Sequence, residues 1–120
     1  VMYFNIAKIL ARLKMQKADG SYIKEMLKLE KQDLVILDDF GLQPIDSQSR
    51  MIFLEMMEDR YDIRSTIVTS QLPVSAWHEV IMEKTIADAI LDRLVHSSHR
   101  NDLKGESMRK NRINIKMNMN

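Results

Sequence analysis

Apolar positions along the chain follow two alternating patterns, short unbroken runs and longer stretches at helical spacing. Val1-Met2-Tyr3-Phe4 is a short run and predicts a strand, and Asn5 after it predicts a helix N-cap. Ile6, Ile9, Leu10 and Leu13 then recur at helical spacing, and Asp19-Gly20-Ser21 predicts a stop and a turn. A weaker helix follows, with Ile23, Met26, Leu27 and Glu30 on one stripe. Leu34-Val35-Ile36-Leu37 is a β-branched-rich run that ends abruptly in Asp38 and Asp39, and it predicts a strand buried on both faces. Gly41-Leu42-Gln43-Pro44 predicts a loop, and Asp46 or Ser47 caps a helix to about Tyr61. Phe53, Leu54, Met57 and Tyr61 form its inner face, and Glu55, Glu58 and Asp59 point outward. Arg64 to Gln71 predicts a second strand with a polar end, closed by Pro73. Trp77 and His78 fit one helical turn, and Lys84 to His96 is amphipathic, with Ile86, Ala87, Ile90, Leu91 and Leu94 opposite Asp88 and Asp92. Ser97 to Leu103 predicts a last strand. Strands alternating with helices predict an α/β fold with a parallel sheet and helices on both faces.

Composition narrows the class. The chain has 120 residues, enough for one modest core, and carries no cysteine, so disulfides and thiolate metal sites are excluded. It contains no apolar run long enough to span a membrane. The net charge of +1 is unevenly spread: residues 97–120 carry six Lys/Arg against Asp102 and Glu106, which leaves the remainder acidic. Such a tail suits an acidic partner or nucleic acid, or is a solvated tail. Two segments result, residues 1–104 as the core and residues 105–120 as a basic, flexible C-terminal tail. Because Val1 falls inside the first run, the chain reads as a fragment.

Chemistry concentrates at the strand ends. Asp38 and Asp39 fall at the C-terminal end of a strand, the edge where open α/β sheets bind ligands. Adjacent carboxylates repel unless a cation or hydrogen-bond donors offset them. In a Walker B segment the first acid holds Mg²⁺ through water and the second acts on the attacking water; the alternative is a solvated Asp-Asp turn. Thr69 and Ser70 end the next strand and would face the same crevice, or act as turn residues. Arg93 lies at the edge of its helix stripe, either as a surface ion pair or as a cation offered to a phosphate on a neighbouring subunit. His78, His96 and His99 form no convincing metal set. No Gly-x-x-x-x-Gly-Lys-Ser/Thr occurs, and the three glycines, at 20, 41 and 105, open no phosphate cradle.

Several blocks resemble the IstB-type ATPases: residues 33–41, Glu58-Asp59-Arg60-Tyr61, residues 64–73, Trp77-His78, residues 87–96 and residues 103–110. These are transposition helpers of insertion sequences, related to the DnaC helicase loader within the AAA+ class of P-loop NTPases. The resemblance implies ATP and Mg²⁺ as cofactors, with DNA, a transposase and further copies of the chain as partners, in the cytoplasm and without a membrane. It implies Asp38 as the Mg²⁺-linked acid, Asp39 as the residue acting on water, and Thr69 or Ser70 as the sensor. Arg93 is the first candidate for the trans-acting finger and Arg100 the second, while Arg109 and Lys110 could meet phosphates. Family members carry the phosphate-loop strand inside the sheet, and that strand does not occur here. The sheet is therefore expected to be incomplete, with residues 98–103 paired unlike the family and an open edge along residues 64–70. ATP binding by this chain is expected to be poor. Competing readings are a non-catalytic DNA- or partner-binding piece, a DnaC-like loader, and a metal-dependent nuclease or phosphatase. The last needs Asp46, Asp88 or Asp92 to converge on Asp38 and Asp39.

Overall fold

The computed structural model describes residues 1–95, 98–102 and 113–117. Its elements, in chain order, are β1 (Met2–Asn5), α1 (Ile6–Asp19), α2 (Tyr22–Glu30), β2 (Leu34–Phe40), α3 (Ser47–Arg60), β3 (Ser65–Ser70), a 3-10 turn (Val74–Ala76), α4 (Trp77–Ile81), α5 (Lys84–Val95), β4 (Ser98–Asp102) and β5 (Ile113–Met117). The sheet order is β1-β2-β3-β5-β4. β1, β2 and β3 run parallel, with Tyr3 beside Ile36 and Val35 beside Thr66.

Local chemistry sets the helix ends. The Asn5 side chain accepts the Lys8 N–H, and the Asp46 side chain accepts the Ser49 N–H at 2.8 Å, so each covers an amide that the first helical turn leaves unpaired. Gly20 ends α1 at φ 87°, returning its N–H to the Gln16 carbonyl. A side chain there would strain the backbone. α1 buries Ile6, Ile9, Leu10 and Leu13, the stripe its spacing predicts.

α2 departs from expectation. It buries Met26 and Leu29, while Ile23 and Leu27 stay exposed at 73% and 48%. Both stripes are apolar, so spacing could not choose between them. Long-range contacts choose: the Tyr22 hydroxyl donates to Glu55 on α3, and the Leu29 carbonyl accepts from Arg60. In α3 the buried face is Ser49, Ile52, Phe53, Met56, Met57 and Arg60, with Leu54 partly buried and Tyr61 beyond the helix end.

Val35, Leu37, Thr66 and Val68 share one sheet face and are buried. Leu34, Ile36 and Ile67, on the other, are half-buried, and Tyr3, in register with Ile36, is 62% exposed. β2 is therefore buried on one face rather than two, and the cover expected on both faces is dense on one among the described residues. Beneath the end of β2, Phe40 packs on Trp77 at 4.5 Å and on Phe53 at 5.6 Å between ring centroids. The Trp77 indole N–H donates to the Leu72 carbonyl, which anchors the chain just past β3.

The expected open edge along residues 64–70 is paired instead. β5 runs antiparallel to β3, from Thr66 beside Met117 to Ser70 beside Ile113, and β4 runs antiparallel to β5. An unpaired row of backbone donors and acceptors recruits any available strand, and residues 113–117 of the basic tail supply one. The rest of the tail, with Arg109 and Lys110, lies outside the described residues.

Candidate functional site

β1, β2 and β3 present their C-terminal ends side by side, and this crevice is where Asp38 sits. Parallel pairing puts Tyr3, Ile36 and Ile67 in one row across the sheet. Side chains alternate along a strand, so Asp38 and Thr69, two residues beyond Ile36 and Ile67, fall on the same face. Contacts agree with that register. The Thr69 hydroxyl donates to Asp38 Oδ1, and the Tyr3 phenol donates to Asp38 Oδ2. Each oxygen of the half-buried carboxylate thus has a hydroxyl from a flanking strand.

Asp39 is different. Its φ of 63° lies in the left-handed region, where a residue with a Cβ is uncommon. The ladder between β2 and β3 slips at this point, between Leu37 and Phe40. The Asp39 N–H donates to Thr69 Oγ1 at 3.1 Å. Thr69 therefore links the two acids, accepting from the backbone of one and donating to the side chain of the other. Gly41 follows at φ 96°, and a Cβ there would lie 2.7 Å from Leu72 Cδ1. Strained backbone clusters at functional positions, and Asp62 and Met82, at φ 62° and 71°, share the left-handed region away from this edge.

Thr69 and Ser70 separate into two jobs. Ser70 is buried; its hydroxyl donates to the Phe40 carbonyl at 2.7 Å and accepts the Leu72 N–H at 3.0 Å. It ties the ends of β2 and β3 together, while Thr69 touches Asp38. Arg93 is part-exposed on α5, donating to the Ala89 carbonyl at 3.0 Å and to Glu58 at 3.3 Å. Its charge is answered by α3 within the chain. Arg100 lies on β4. Asp39 also lines an 850 Å³ cavity between α1 and the loop after β2, with Leu10, Lys14, Leu42 and Pro44 among its walls.

The Asp38 carboxylate is the kind of donor that could hold a magnesium ion through water, since Mg²⁺ keeps several waters and takes one or two carboxylates beside phosphate oxygens. No group of three or more His, Cys, Asp or Glu able to hold a metal occurs among the described residues. Two of the three acids a two-metal nuclease would need, Asp46 and Asp88, are committed elsewhere. Asp46 caps α3 and pairs with Lys14, which together hold its carboxyl down to about 2. Asp88 pairs with His78 at 2.7 Å and Lys84 at 3.0 Å, which also lower its pKa.

Tyr3 is the site residue that sequence reasoning missed. Its signal was available only in part, as the residue two before the Asn5 cap on the first strand. Its approach to Asp38, 35 positions away, depends on β1 and β2 being neighbours.

No helix among the described residues is long and apolar enough to cross a membrane. Residues 1–115 match the family of IstB-like ATP binding proteins. The chain is 54% identical over 111 residues to a Sinorhizobium fredii protein described as an insertion-sequence ATP-binding protein, covering 92% of this chain and 45% of that protein. A second from the same organism is 49% identical, with 92% and 44% covered. The ATP-binding protein of insertion sequence IS232 from Bacillus thuringiensis is 33% identical, with 84% and 40% covered. The chain thus spans under half the length of these curated relatives. With the family matched over nearly the whole chain, it belongs to the IstB-like ATP-binding proteins.

Proposed function

We propose that this chain carries the Mg²⁺-linked half of an ATP site in a transposition helper. With ATP the helper assembles on DNA and assists a transposase, in the cytoplasm and as an AAA+-type oligomer. The observation that carries this reading is the Asp38 carboxylate, held by hydroxyls from both flanking strands at the C-terminal edge of a parallel sheet. That placement supports a Walker B role for Asp38. Asp38 would hold Mg²⁺ through water, and the metal would neutralise charge on the nucleotide phosphates. Thr69 keeps Asp38 oriented and its hydroxyl is the better placed of the two sensor candidates, while Ser70 supports the strand ends. Asp39 is the acid offered to the attacking water, and its left-handed backbone turns it out of the regular strand alternation. Arg93 would exchange Glu58 for a phosphate across a subunit boundary, with Arg100 as the second candidate. Basic residues of the tail, Arg109 and Lys110 among them, supply charge for DNA or nucleotide phosphates.

These 120 residues contain no phosphate-loop motif, so the cradle of backbone amides for the phosphates is not among them. The test is titration of a fluorescent ATP analogue, with Mg²⁺, into this chain and into Asp38→Ala. Weak binding that falls further in the variant is expected. Micromolar affinity unaffected by Asp38→Ala would overturn the assignment.

A further inference from the structure

We propose that Tyr3 is a positioning residue that fixes the Asp38 carboxylate for a metal-bound water. The inference rests on Asp38 being the metal-linked acid. A carboxylate at a strand end rotates freely about its last bond, and a metal held through water then meets it in many orientations. Here rotation is blocked from both sides. Thr69 on β3 holds Oδ1, and Tyr3 on β1 holds Oδ2. The two contacts differ in what else the hydroxyl does. Thr69 also accepts the Asp39 N–H and so belongs to the strand-end backbone. Tyr3 is 62% exposed and lies on the thinly covered face of the sheet, so little of the core depends on it.

A carboxylate oxygen carries two acceptor sites, so a phenol on Oδ2 does not by itself bar a metal-bound water from the same carboxylate. Removal of the phenol oxygen takes away the hold that β1 has on Oδ2.

Mn²⁺ alone is the probe, read by paramagnetic broadening of amide signals near Asp38 in wild type, Tyr3→Phe and Asp38→Asn. The thermal midpoint is followed in the first two. Wild type is expected to show broadening centred on residues 38–39. In Tyr3→Phe half-saturation should move about threefold to tenfold higher, because one hydrogen bond to a charged, part-exposed group is lost. The thermal midpoint of the same variant should be unchanged. Asp38→Asn should abolish the broadening. If Asp38→Asn loses it and Tyr3→Phe matches wild type in Mn²⁺ affinity, Tyr3 has no positioning role and the metal assignment stands. If Asp38→Asn binds Mn²⁺ like wild type, or wild type shows no broadening near residue 38, the metal assignment fails and the Tyr3 inference with it.

Discussion

The two ends of strands β2 and β3 carry polar clusters built on opposite terms. At the N-terminal end, Arg60 is 2% exposed and its guanidinium gives four hydrogen bonds, to the Leu29, Gln32 and Ser65 carbonyls and the Thr66 hydroxyl, at 2.6–2.9 Å. Burial, with Arg64 nearby, pushes its pKa down to about 10, so it stays charged at neutral pH. Four of the five donors of a guanidinium are thus spent on backbone and neighbour, and no bulk solvent reaches the group. At the C-terminal end, Asp38 is half-buried and accepts from two hydroxyls, and Asp39 beside it has a left-handed backbone. A buried charge with its partners satisfied holds elements together, whereas a charge within reach of solvent stays open to exchange with a ligand. The difference sets Arg60, a buried cation at the end of α3, against Asp38, a half-buried acid of β2, at opposite ends of the same strands.

The sharpest way to break this contrast is to remove each charge and compare stability with ligand binding. Arg60→Leu leaves buried carbonyls on α2, its following turn and β3 without donors, and urea unfolding should show a loss of at least about 3 kcal/mol. A loss under about 1 kcal/mol would place Arg60 with ordinary surface cations. Asp38→Asn, by contrast, should shift the urea midpoint by less than about 1 kcal/mol while abolishing Mn²⁺ broadening.

The strained hinge between these strand ends gives the next largest effect. Gly41→Ala forces a Cβ into a left-handed backbone against the Leu72 side chain, and about 1–2 kcal/mol of stability should be lost. At Asp39 the same reasoning reverses: Asp39→Gly relieves strain and should leave denaturant stability equal to wild type or raised by up to about 1 kcal/mol. Clear destabilisation of Asp39→Gly would mean that its side chain braces the fold.

The smallest expected effect concerns Asp46. The Lys14 amine and the Ser49 N–H lower its carboxyl from 3.8 to about 2. A depressed acid stabilises the fold above its unfolded pKa, and that contribution fades as pH falls from about 4 towards 2. Asp46→Asn keeps a capping oxygen but removes the charge, so acid unfolding profiles of the variant should be flatter in that window. The pair is half-exposed, and solvent screening limits the difference to a few tenths of a kcal/mol at about pH 5.

The strand-helix alternation, the Asn5 and Asp46 caps, the Gly20 stop and the α1 stripe were all legible in the sequence, because each is set within a few residues by periodicity or by a side chain reaching its own helix. So was the position of Asp38 and Asp39 at the end of a buried strand, since an apolar run ending in charge has few other places to go. Tertiary structure decided the rest. Two equally apolar stripes on α2 were separated by Tyr22 and Arg60 contacts to distant elements. Thr69 and Ser70 were separated by register, which turns alternate side chains to opposite faces. Tyr3 met Asp38, 35 positions away, because β1 and β2 became neighbours. β3 gained an antiparallel partner from a tail that composition read as disordered. Periodicity reports which side of its own element a residue occupies; which residue lies opposite is fixed only when the strands pair.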